Sequence, residues 1–142
     1  MLPEENKALM RRFMEEGLNK HNIALIDEYF AEGFVNHSPM LGQAPDREGL
    51  KKAFELYFES CPDLQFIIED MIAEEDKVVL RVTTRGTNTG PLMGVPPTNR
   101  KFEFSTISIV HISNKRITER WNVQDTFGML QQLDLISIKG MS

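Results

Sequence analysis

Residues 100–125, RKFEFSTISIVHISNKRITERWNVQD, read as two long strands folded on a short turn. In the second arm, Lys115 to Asp125, alternation puts Ile117, Glu119, Trp121, Val123 and Asp125 on one face and Arg116, Thr118, Arg120, Asn122 and Gln124 on the other. The first arm, Lys101 to Ile112, sets Phe102, Phe104, Thr106, Ser108, Val110 and Ile112 opposite Ile107, Ile109 and His111. Both of its faces carry apolar groups, so it is expected to be covered on both sides. With the turn at Ser113-Asn114 or Asn114-Lys115, antiparallel pairing lays the Phe102/Phe104/Thr106/Ser108 face beside the Glu119/Trp121/Val123/Asp125 face. A carboxylate on an apolar face is unfavourable unless paired, hydrogen-bonded or protonated, so this shared surface reads as the floor of a ligand cavity rather than dry core.

Upstream, Lys77 to Thr89 is a strand with Val78, Leu80, Val82 and Thr84 on one face and Arg81, Thr83 and Arg85 on the other. Leu64 to Glu74 is its hairpin partner across Glu75-Asp76, and Gly90 to Asn99 is a Gly/Pro-rich loop. The first half is helical. Pro3 to Lys20 carries Leu9, Met10, Phe13, Met14 and Leu18 on one stripe, and Ile23 to Phe30 is a second short helix stopped at Gly33. Phe34 to Pro39 is a short extended piece. Asp46 caps a helix from Arg47 to Ser60, whose Leu50, Phe54, Tyr57 and Phe58 share a face. Thr126 to Leu133 is a last short helix, followed by a tail expected to be an edge strand or disordered. Helices first and a curved antiparallel sheet afterwards predict one α+β domain, a cone in which the N-terminal helices close one side of the sheet and leave a pocket.

The chain has 142 residues, a net charge of −5 and one cysteine, Cys61. That length suffices for one core without staples, and a lone cysteine cannot form an intrachain disulfide. The acidic balance argues against nucleic acid or an anionic membrane as partner. Charges interrupt every apolar run and the N-terminus has no signal-like segment, so a cytoplasmic protein is expected. No spacing of His, Cys, Asp or Glu matches a metal ligand set, and no glycine-rich turn leads into a helix to cradle phosphate, so no metal and no cofactor are expected.

The order of elements, Asn36-His37-Ser38-Pro39, Gly86-Thr87-Asn88-Thr89-Gly90, Gly94-Val95-Pro96-Pro97-Thr98 and Ile117-Thr118-Glu119-Arg120-Trp121-Asn122-Val123-Gln124-Asp125 together resemble the SnoaL-like polyketide (ester) cyclases of the nuclear-transport-factor-2-like fold. The resemblance runs from about Glu5 to Leu133. It implies cofactor-independent ring closure by intramolecular aldol condensation, with the aspartate matching Asp125 as acid/base. Many relatives carry a histidine where Asn88 stands, and Asn88 can only donate or accept a hydrogen bond.

Candidate catalytic residues are Asp125, whose expected wall of Trp121, Val123 and Phe104 would raise its pKa, and His37, which titrates near neutral pH. Asp125 is equally placed to cap the helix that begins at Thr126. Asn88, Trp121, Glu119, Phe104, Tyr57 and Thr106 are the candidate substrate contacts, for a small hydrophobic carbonyl compound. A hydrolase reading would need Asp125, Arg85 and Asp70 together, and a third reading is a non-catalytic binding module. The face holding Arg116, Thr118, Arg120, Asn122 and Gln124, with Ile107 and Ile109, is expected to join two copies as a homodimer.

Overall fold

The computed structural model describes residues 2–40, 42–92 and 94–136. The chain opens with α1 (Pro3–Arg12), where Pro3 sits at a position whose amide needs no partner and Glu4 and Glu5 complement the helix dipole. The helix expected as far as Lys20 changes to a π-helical segment at Phe13–Leu18, which buries Phe13, Met14 and Leu18. The wider turn delivers Asn19 to the sheet. Its side chain accepts from the Phe66 amide at 2.7 Å and donates to the Phe66 carbonyl at 2.9 Å, so one asparagine clamps helix to strand.

A 3-10 turn (Ile23–Leu25) and α2 (Ile26–Tyr29) follow, and β1 runs over Phe30–Asn36. The second helix is thus shorter than its pattern predicts, and Gly33, read as its stop, lies inside β1. Phe30 and Phe34 are both buried and touch edge to face at 4.8 Å. A spacing of four suits a helix and a strand alike, so periodicity does not separate them here. Next come α3 (Arg47–Ser60), β2 (Gln65–Glu74), β3 (Lys77–Thr87), β4 (Lys101–Ser113), β5 (Arg116–Gln124) and α4 (Thr126–Gln132). Asp46 caps α3, accepting from the Gly49 amide at 2.8 Å.

The five strands form one curved sheet in the order β1-β5-β4-β3-β2. Its four C-terminal strands are antiparallel, as expected, but β1 lies parallel to β5, so the sheet is mixed. The helices cover the concave face, where Leu9, Met10, Ile26 and Leu50 meet Val78, Leu80, Val110 and Ile117 in one buried cluster. Among the described residues no helix is long and apolar enough to cross a membrane.

The β4–β5 hairpin corrects the sequence reading at its centre. Asn114 and Lys115 both have left-handed φ, 51° and 62°, which makes the two-residue turn and pairs Ser113 with Arg116 and Ile112 with Ile117. The register then slips, and His111 faces Glu119. Thr118 is therefore an extra residue, a β-bulge. Because strand faces alternate with period two, one extra residue turns over every side chain beyond it. Ile117 points into the core, but Arg120, Asn122 and Gln124 now pair with Val110, Ser108 and Thr106 on the inner face. Glu119, Trp121 and Val123 lie outside, beside His111, Ile109 and Ile107. Beyond the bulge the alternating sets are those expected, and the set that faces inward is the other one.

Lys115 holds a conformation that L side chains adopt at a cost of about 1 kcal/mol or more. Lys115→Gly is expected to raise stability by about 1 kcal/mol, seen as a higher urea midpoint at unchanged slope.

Candidate functional site

A cavity of about 940 Å³ lies between the concave sheet and the helices, large enough for a drug-sized ligand. Its mouth is bordered by Ser38, Pro39, Met40, Gln43 and Ala44 and by Pro91, Leu92 and Gly94. One side is apolar, built from Met10, Phe13, Phe54, Phe66, Leu80 and Val82. The other is a polar stripe that exists because of the bulge: Arg120, Asn122 and Gln124 from β5, with Thr106 and Ser108 from β4 and Tyr57 from α3.

The stripe is braced by its own hydrogen bonds. Ser108 donates to Asn122 Oδ1 at 2.7 Å, and Gln124 Nε2 donates to Thr126 Oγ1 at 3.1 Å and to the Tyr57 hydroxyl oxygen at 3.4 Å. Where the β1–β5 ladder ends at Asn36 and Arg120, Ser38 takes over, its hydroxyl accepting from the Asn122 amide at 3.0 Å. Asn36 Oδ1 in turn accepts from the Ser38 amide at 3.0 Å, so the chain bends into the cavity mouth with its polar groups satisfied.

Arg120 is the charged member of this stripe. It makes no ion pair and no side-chain hydrogen bond with the described residues. Burial lowers its pKa to about 10, against which the neighbouring Tyr57 acts in the opposite sense, so it remains a cation at neutral pH. Among the described residues, the other ionisable groups lining the cavity are Tyr57, Glu59 and Cys61. Glu59 is exposed on α3, and burial, with the charge of Asp63 adding, pushes the Cys61 thiol up to about 12, leaving it protonated and unreactive.

Of the residues singled out from sequence, Phe104, Tyr57 and Thr106 line the cavity. Asp125 does not. It is exposed and caps α4, accepting from the Gly128 amide at 2.9 Å, and a Cβ at Gly128 would come within 2.2 Å of its carboxylate. The wall expected around it is absent, since Val123 is 77% exposed on the opposite face from Phe104. His37, Glu119 and Trp121 do come together, but on the outer face. The His37 ring stacks on Trp121 at 4.4 Å, and its Nε2 lies 3.2 Å from Glu119 Oε2. Asn88 is fully buried and braces its own loop, accepting from the Thr98 amide and hydroxyl at 3.0 and 2.9 Å and donating to the Gly90 carbonyl at 2.8 Å. It does not line the cavity. Asp70 is paired with Arg81 at 2.7 Å, Arg85 is exposed, and neither they nor Asp125 line the cavity.

Arg120, Asn122 and Gln124 are the cavity residues that alternation assigned to the wrong face. The signal for them was a conflict: Glu119 and Asp125 share a phase with the core residue Ile117, and a bulge beside the turn resolves it. Asp125→Ala is expected to cost about 1 kcal/mol in urea unfolding through loss of the cap while leaving the affinity of a neutral cavity dye such as Nile red unchanged.

Residues 8–133 match the family model described as SnoaL-like polyketide cyclase. The fold is similar to that of TsrD from Streptomyces laurentii, with 25% identity and a TM-score of 0.85 over 96% of this chain and 100% of that one. It is similar also to IdmH from Streptomyces antibioticus, with 29% identity and a TM-score of 0.80 over 91% of this chain and 98% of that one. The chain matches no curated protein. The family match begins inside α1 and ends just past α4, taking in all five strands and every helix around the cavity, and the chain belongs to the SnoaL-like polyketide cyclase family.

Proposed function

We propose that this protein carries out cofactor-independent acid/base chemistry, an aldol-type cyclisation or an isomerisation, on a hydrophobic carbonyl compound held in the cavity. The observation that carries this reading is the polar stripe facing an otherwise apolar cavity. A carbonyl compound that loses an α proton places negative charge on its oxygen, and donors fixed beforehand around that oxygen stabilise the transition state more than the ground state. The Tyr57 hydroxyl, whose oxygen accepts from Gln124 and whose hydrogen has no acceptor among the described residues, is the donor available, with the Arg120 cation in the same wall. In ring closure the α proton leaves to water at the cavity mouth, the enolate carbon attacks a second carbonyl of the same molecule, and Tyr57 returns a proton to the new alkoxide before regaining one from water. Asp125 and His37, the acid/base pair expected from sequence, are assigned no part in this scheme because neither lines the cavity.

A non-catalytic binding module is the second reading, and one observation favours it. No histidine lines the cavity among the described residues, and the carboxylate that does, Glu59, is exposed on α3. Polyketide-like keto esters screened by mass spectrometry separate the two, because a carrier returns its ligand unchanged. With a turned-over compound in hand, Tyr57→Phe should lower kcat by about a hundredfold and move ligand affinity little. An unchanged kcat would remove Tyr57 from the mechanism.

We further propose a homodimer through the outer sheet face. Val35, Ile72, Ile107, Ile109 and Val123 are each more than a third exposed there, an apolar surface of the kind that a second copy covers. Of the polar strand residues first expected at that contact, Arg120, Asn122 and Gln124 are instead inside. A cytoplasmic setting suits the free thiol of Cys61. Sedimentation at micromolar concentration should give about twice 16.3 kDa, and Ile109→Glu should return the chain mass. A wild-type value of one chain mass rules the dimer out.

A further inference from the structure

Arg120 is a half-buried charge in the cavity wall that the described residues do not answer. The contrast with Arg47 is instructive: that side chain is only 20% exposed, and it has a carboxylate, Asp27, at 3.3 Å and the Phe30 carbonyl at 3.2 Å. Arg81 pairs with Asp70 at 2.7 Å even on the exposed side of the sheet. Arg120 stands on the inner face of β5, flanked by Asn122 and opposite Val110, and lines the cavity with no carboxylate against it among the described residues. Partial burial beside apolar surface makes an unpaired cation unfavourable, and leucine or methionine would fill the position without that penalty. The charge is explained if its partner arrives from outside.

We infer that the ligand of this cavity is an organic acid, a monoanion whose carboxylate pairs with Arg120 and whose apolar body lies along the β2–β3 side. This rests on the reading of the cavity as the ligand site and adds to it the charge of the ligand. Two features choose a carboxylate. A planar guanidinium matches a carboxylate through two parallel N–H···O bonds. Arg120 is the one cation lining the cavity among the described residues, so it balances a single negative charge and would leave a phosphate dianion half neutralised. Away from the stripe, Phe54, Phe66, Leu80 and Val82 offer only carbon to the rest of the molecule. An ester of the same acid would bury the same body and leave Arg120 unpaired.

The test uses the full chain loaded with Nile red, a neutral dye, displaced by decanoate, methyl decanoate or decanol. Decanoate is expected to displace the dye at a concentration at least about tenfold below the other two, since a charge-assisted pair is worth about one to two orders of magnitude in affinity. Arg120→Gln should bring decanoate level with its methyl ester while dye affinity and the melting temperature stay at or above the wild-type values. Ester or alcohol binding as well as the acid in the wild type overturns the inference and leaves the cavity reading standing. So does an acid preference that survives in Arg120→Gln. Failure of the dye and all three ligands to bind overturns both.

Discussion

One extra residue, Thr118, decides what this cavity is made of. Without a bulge the β4–β5 ladder would carry Glu119, Trp121 and Val123 inward and Arg120, Asn122 and Gln124 out to solvent. With it, the strand is turned over just past Ile117, and the inner wall receives a guanidinium and two amides. What β5 adds to the cavity follows from that slip. The apolar wall on β3 needs no such device, because its ladder with β4 keeps Leu80 and Val82 in phase with Ser108 and Thr106.

The remaining elements hold the cavity open rather than supply its chemistry. The Asn19 clamp and the His21 ring, stacked on Phe58 at 3.9 Å with a nitrogen 2.9 Å from the Leu64 carbonyl, tie the N-terminal helices to the start of β2. The loop after β3 is fastened to the end of α3 at Gly90, where a Cβ would lie 2.2 Å from the Glu59 carbonyl and where the Thr89 and Gly90 amides both donate to the Ser60 carbonyl. Asn88 belongs to this framework. Its three hydrogen bonds fold the loop back between Gly90 and Thr98, which makes it a brace and not a cavity residue.

The outer face gathers what the slip expelled. Trp121 is sandwiched between His37 at 4.4 Å and His111 at 4.9 Å, and Glu119 reaches His37, an aromatic and titratable group on a surface that also exposes Ile107, Ile109 and Val123. Aromatic and branched side chains beside a carboxylate resemble a pocket wall in sequence, and they serve equally well as a surface for another protein.

The amino-acid sequence by itself determined the elements and their order. Asp46 and Asp125 before helical spacing, the Glu75-Asp76 turn, alternation in β3 and β4, and the Gly/Pro-rich loop are local signals, and local hydrogen bonding and sterics obey them. It determined the family as well, because the motifs around Asn36, Gly94 and Trp121 survive as sequence whatever their side chains face. Only the tertiary structure decided which face of β5 points inward, that β1 pairs parallel to β5, and that Arg120 rather than Asp125 meets the ligand space. Those depend on a register between distant strands, and a period of two carries no label for inside or outside once a single residue is inserted.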